Sequence, residues 1–142
     1  MKRISIILTI ALLALIAGIQ VSAQNSAAQG NVETTDSQAD YQVLKGKIGP
    51  YKVKMYLRIN GAQDDDEVGY YYYTAYPQNR FKLKMISMVA VNAKGTMEMV
   101  LHEYTSDGKH SGTFDGNYEC RGDYYAGTFT NSKGKKFKFV LQ

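Results

Sequence analysis

From Tyr41 to the end of the chain, apolar and polar side chains exchange places at nearly every step. Val53, Met55, Leu57 and Ile59 alternate with Lys52, Lys54, Tyr56 and Arg58; Phe81, Leu83 and Met85 oppose Lys82 and Lys84; Phe137, Phe139 and Leu141 oppose Lys136 and Lys138. A period of two is the mark of a strand with one dry and one wet face, and nowhere does a period near 3.6 last long enough to argue for a helix. The pattern predicts eight strands, at 41–48, 51–59, 67–76, 80–91, 96–104, 111–120, 123–130 and 135–141. They are separated by "GP", "NGAQDDDE", "PQN", "NAKG", "TSDGKHS", "RG" and "NSKG". Such short polar breaks join antiparallel neighbours. One apolar face, no helix to cover it and eight strands predict an all-β, up-and-down antiparallel meander closing into a small barrel, which also removes its exposed edges. A flattened barrel or two-sheet sandwich is the alternative.

The stretch "VGYYYYTAY" at 68–76 holds five tyrosines in nine positions. With odd positions inward in both neighbouring strands, an unbroken pairing turns Val68, Tyr70, Tyr72, Thr74 and Tyr76 inward and Tyr71 and Tyr73 outward. Lys54, Tyr73 and Lys84 then share one outer row, and Tyr56, Tyr71 and Ile86 the next. The outer candidate patch is Lys54, Tyr56, Tyr71, Tyr73, Lys82 and Lys84, where aromatic faces and ammonium groups suit an anionic or sugar-like ligand. Cross-strand Tyr and Lys pairs on a wet sheet explain the same residues by stability alone.

If Met97, Met99 and Leu101 face inward, Glu103 follows by parity. An interior polar cluster of Tyr70, Tyr72 and Glu103 then marks either the polar end of a calyx-like ligand cavity or a carboxylate tied off by tyrosine hydroxyls. The echo "GTFDG" and "GTFTN" supplies one inward Phe in each of two successive strands, Phe114 and Phe129.

The amino-terminal region has a different character. Lys2 and Arg3, an apolar run from Ile4 to Ile19 and "VSA" before Gln24 have the layout of a secretory signal peptide over 1–23, cleaved after Ala23. Residues 24–40 are small and polar with one large apolar side chain, Val32, and read as a flexible linker. The domain proper is 41–142. Without the leader the chain carries 15 Lys plus Arg against 13 Asp plus Glu, a net +2 instead of +4, so the basic impression comes partly from the leader. That balance disfavours nucleic acid as a partner, and no membrane span remains after cleavage.

Remaining motifs carry little chemistry. Cys120 is the single cysteine, so it can form no internal disulfide and is either a buried free thiol or an intermolecular partner; continued alternation puts it on the side of Phe114 and Tyr118 and favours burial. "HEY" at 102 lacks the second His of a zinc-protease helix. "DDDE" at 64 lacks the alternation and glycine of a calcium loop. "RGD" at 121–123 reads as a tight turn.

Taken together, "LKGKIGPYKVKMYLRI", "VGYYYY", "RFKLK", "MVLHEY", "GTFDG" and "YAGTFTNSKGKKFKFVL" resemble a group of small exported β-proteins of Gram-negative bacteria. These share a G-x-I-G opening, a G-x-Y-Y strand, an L-x-E strand and paired G-T-F/W arms. The resemblance runs from Tyr41 to the end and implies export and a lipocalin-like barrel, with no assigned chemistry. Exported eight-stranded lysozyme inhibitors look similar in size and architecture, but of their S-G-x-x-Y signature only Ser111 and Gly112 are present, so inhibition does not carry over. The expectation is a non-catalytic, periplasmic or secreted binding module for a small ligand, glycan (anionic for the outer patch) or envelope partner protein, using no cofactor and no metal. The alternative is a protein-interaction or inhibitor-type envelope accessory acting through its loops or its outer basic and aromatic face.

Overall fold

The computed structural model describes residues 41–142; the leader and linker read from 1–40 lie outside the described residues. Eight strands follow one another: β1 Gln42–Ile48, β2 Tyr51–Leu57, β3 Glu67–Tyr73, β4 Phe81–Ala90, β5 Thr96–Tyr104, β6 His110–Glu119, β7 Tyr124–Asn131 and β8 Lys136–Leu141. Each pairs antiparallel with the next, and β1 pairs with β8 to close the barrel. At this seam Gly46 lies opposite Leu141, and a Cβ on Gly46 would stand 1.9 Å from the Val140 carbonyl oxygen. Closure therefore depends on a residue without a side chain.

The inward faces fill the barrel. Phe114 sits among Tyr71, Phe129 and Phe139, with ring centroids 5.4, 4.7 and 5.2 Å away. Tyr125, fully buried, packs edge-on to Phe139 and donates its hydroxyl proton to the Met99 carbonyl at 3.0 Å. Leu44, Met55, Leu57, Leu83, Met85, Met99, Leu101 and Leu141 occupy the remaining space. Mid-barrel the interior is thus packed with side chains, as eight-stranded barrels of this width permit.

Alternation predicts the faces correctly except where the ladder slips. In β3 the partners jump from Glu67↔Lys84 to Gly69↔Leu83, so Val68 is an extra residue and the parity of everything after it reverses. Val68 points inward, as expected, but Tyr71 is fully buried and Tyr73 packs against the core, while Tyr70 and Tyr72 face outward. The expectation that Tyr71 and Tyr73 join the outer patch, and that Tyr70 and Tyr72 fill the interior, is therefore reversed by one bulge. Tyr76, expected inside, is 60% exposed because β3 ends at Tyr73 and the chain turns. A second slip, between Met85 and Ser87 in β4, brings Met88 against the core.

Cys120 also departs from expectation. β6 stops at Glu119, so alternation no longer governs the next side chain, and the thiol is exposed in the turn. The backbone N–H of Cys120 donates to the Gly95 carbonyl at 3.0 Å, tying two neighbouring turns at one end of the barrel.

Candidate functional site

The end of the barrel bearing the turns 49–50, 74–80, 105–109 and 132–135 is its mouth. β5 pairs without a slip from Thr96 to Glu103, so the alternation that buries Met99 and Leu101 also carries Glu103 inward, leaving it 4% exposed. Both carboxylate oxygens are engaged: the Tyr71 hydroxyl donates to Oε2, and the Ser111 hydroxyl donates to Oε1. Tyr73 continues the chain of hydroxyls, with its oxygen 3.5 Å from that of Tyr71. The polar cluster inside the barrel is thus Tyr71, Tyr73, Ser111 and Glu103, in place of Tyr70, Tyr72 and Glu103.

Burial pushes the Glu103 carboxyl above the usual carboxylate range, against the opposing pull of the Ser111 and Tyr71 hydrogen bonds. Burial, followed by the nearby Glu103 charge, likewise pushes the Tyr71 hydroxyl far up, and burial raises Tyr73. Because the folded-state value of Glu103 exceeds its ordinary value of 4.5, the folded chain holds that proton over a wider range than the unfolded chain. The stabilisation is complete below 4.5 and is lost as pH rises through the folded-state value. Glu103→Gln keeps both hydrogen-bond partners, since an amide accepts from one hydroxyl and donates to the other. It is expected to narrow the difference in Tm between mildly acidic and neutral buffer, and to exceed the wild type in stability at neutral pH. Thermal unfolding of both proteins at the two pH values checks this, and an unchanged difference would exclude Glu103 as the titrating group.

Above Glu103 lies a cavity of about 280 Å³, walled by Tyr51, Tyr73, Phe129 and Phe137. Tyr51 and Tyr73 meet edge to face at 5.9 Å and also line a wider groove of about 580 Å³ that runs over Thr74 to Tyr76. Tyr51 and Tyr76, at 56% and 60% exposure, offer their rings to solvent there. The mouth therefore combines a buried carboxylate at its foot with free aromatic surface at its rim.

The outer face of β2, β3 and β4 is arranged differently. Tyr56 and Tyr70 stack on each other at 4.7 Å with planes 16° apart, Lys54 sits 5.0 Å over Tyr56, and Arg80 sits 4.7 Å over Tyr70. Arg58 covers Tyr41 at 5.3 Å. Hydrogen bonding to Lys54 lowers the Tyr56 hydroxyl, and the same bond raises the Lys54 ammonium. Lys82 forms a salt bridge with Glu67 at 3.2 Å, and Lys84 lies 5.5 Å over Tyr104. Lys54, Tyr56, Lys82 and Lys84 thus face outward as expected, while Tyr71 and Tyr73 do not. The ring faces of this ladder are already covered by one another and by cations, so they form a self-contained stack and leave no open platform.

His102 and His110 face solvent on the far wall with ring centroids 4.4 Å apart, and among the described residues no group of three or more His, Cys, Asp or Glu is arranged to hold a metal. Sequence reasoning missed Tyr51, Tyr76 and Ser111 as mouth residues. The readable signal for the mouth was Gly69, since a glycine inside a strand pattern marks a bulge, and a bulge there puts Tyr71 and Tyr73 beside Glu103. No protein-family model, curated protein or solved structure matches the chain.

Proposed function

We propose that this chain is a non-catalytic, exported binding module that holds one ring-sized, hydroxyl-bearing ligand, such as a sugar residue, in the barrel mouth. The observation that carries this reading is the buried Glu103 carboxylate at the foot of the 280 Å³ cavity beneath Tyr51 and Tyr73. A ligand hydroxyl donates to the remaining lone pairs of the carboxylate, and the apolar face of the ring lies against tyrosine, the pairing of few polar and many aromatic contacts typical of small-ligand sites. The non-catalytic reading is supported by the engagement of both Glu103 oxygens by Tyr71 and Ser111, which suits an acceptor held in place more than a proton carrier. Export is supported by Lys2, Arg3, the apolar run and "VSA", and places the ligand in the periplasm or outside the cell.

The test is an NMR titration of the mature chain, from Gln24 onward, with glucose and N-acetylglucosamine as probes. Saturable shifts are expected for amides around Tyr51, Tyr73 and Glu103, with affinity about tenfold weaker in Tyr51→Ala, the loss of one stacking contact. Tyr51 is exposed, so that variant folds. Shifts that are absent, or that persist unchanged in Tyr51→Ala, would remove the mouth as the site.

A further inference from the structure

The charges of the barrel are sorted by wall. β8, β1 and β2 lie side by side and carry Lys136, Lys138, Lys45, Lys47, Lys52 and Lys54, all on strands without a single Asp or Glu. β5 and β6, four strands away and hence on the opposite side, present Glu98, Asp115 and Glu119 and contain no Lys or Arg. The barrel's net charge of +5, from 15 Lys plus Arg against 10 Asp plus Glu over 41–142, hides this separation, which gives it one basic and one acidic wall.

Within the basic wall the register is unfavourable by itself. Lys45 lies directly opposite Lys54, and Lys47 directly opposite Lys52. All four side chains share the outer face, because Leu44, Ile48, Val53 and Met55 take the inner one. Like charges directly across an antiparallel pair destabilise it. Sheet geometry roots these four side chains on a backbone grid of roughly 5 Å across the strands and 7 Å along them. The ion pair among the described residues, Lys82 with Glu67, lies elsewhere, on β4 and β3.

The wall is also shaped. A depression of about 480 Å³ lies among Lys45, Lys47, Lys52 and Lys54, with Gly46 and Val53 at its floor. A second, of about 410 Å³, lies on the other side of Lys47 towards Lys138. Lys52 and Thr74 border both the first depression and the aromatic groove of Tyr51 and Tyr76, so ammonium groups and free rings follow one another along a continuous track.

We propose that this track binds a linear anionic polysaccharide on a surface that shares Tyr51 with the rim of the Glu103 cavity and otherwise lies outside it. Anionic groups along the chain neutralise the opposed lysines, and sugar faces lie on Tyr51 and Tyr76. The wall is the convex outside of a barrel, so a flat anionic bilayer reaches only its crest, whereas a flexible chain follows the depressions. Single-stranded nucleic acid is held by a basic groove with successive bases stacked on aromatic rings, and this track offers only the two rim rings, Tyr51 and Tyr76, since the neighbouring tyrosine ladder is covered by Lys54 and Arg80. The acidic far wall orients the molecule so that the lysines meet the polymer first.

Heparin, a sulfated polysaccharide, is the probe. The mature protein is expected to stay on a heparin column at about physiological salt and to elute as salt rises, its affinity falling steeply with salt as polyion contacts require. Lys45→Glu with Lys52→Glu turns both like pairs into opposite pairs; it should lose retention and yet gain roughly 2–5 °C in Tm. Lys94→Glu with Lys109→Glu makes the same change in net charge on two distant turns and should keep retention. Equal loss in both variants, or no loss in the first, overturns the proposal. So does tighter binding to phosphatidylglycerol vesicles or to single-stranded DNA than to heparin at equal salt. A merely structural wall would leave retention of the two variants alike.

Discussion

Gly69→Ala is expected to destabilise the barrel by roughly 3–5 kcal/mol, the range of severe backbone strain combined with steric overlap. Gly69 has φ +154, and a Cβ built on it would stand 1.9 Å from the Tyr56 carbonyl oxygen and 2.9 Å from its carbon. Neither neighbour can retreat, because both belong to the backbone of the β2–β3 ladder. The strand can escape only by undoing the bulge, which would return Tyr71 and Tyr73 to the outside and draw Tyr70 and Tyr72 inward. Small domains hold only about 5–15 kcal/mol in total, so such a loss removes a large share of the barrel's stability. Urea unfolding followed by circular dichroism measures the loss. Gly122→Ala, in a turn where a Cβ meets nothing within 4 Å, is the control and should change little. A Gly69→Ala protein as stable as that control would show that the bulge does not decide the parity of β3.

Tyr71 tests the same reversal from the side chain. Tyr71→Ala should cost about 3–5 kcal/mol, as for other buried rings cut to a methyl group, because its ring stacks on Phe81 at 5.2 Å and meets Phe114 edge-on at 5.4 Å. Tyr71→Phe keeps the ring and deletes only the hydroxyl that donates to Glu103, so it should cost about 1.5–3 kcal/mol, the value of a hydrogen bond to a charged group. The smaller variant should also push the Glu103 carboxyl further up, since one of the bonds favouring its charged form is gone. Chemical denaturation of both variants gives the two losses. If Tyr71→Ala proved neutral, Tyr71 would be a surface residue; if Tyr71→Phe proved neutral, its hydroxyl would play no part in holding the carboxylate.

The eight strands were legible because each is a self-contained alternation bounded by turn residues, and observed ends fall within a few residues of those read from the pattern. Glu103 was legible as an inward carboxylate for the same reason, since no slip interrupts β5 between Thr96 and Glu103. Its partners were not. Parity is transmitted residue by residue, and one extra residue at Val68 inverted every later assignment in β3, exchanging the tyrosines of the mouth with those of the outer ladder. Cys120 failed in a related way, by extending alternation one position past the end of β6.

The sequence by itself determined an all-β meander, its turn positions and the basic character of one face, because those follow from side-chain chemistry at neighbouring positions. Tertiary structure alone decided that Tyr71, Tyr73, Ser111 and Glu103 converge, that Lys45 and Lys47 stand against Lys54 and Lys52, and that acidic and basic strands end on opposite walls. Those outcomes depend on register and closure, which are set by backbone pairing between segments far apart in the chain and can be shifted by a single residue without a Cβ.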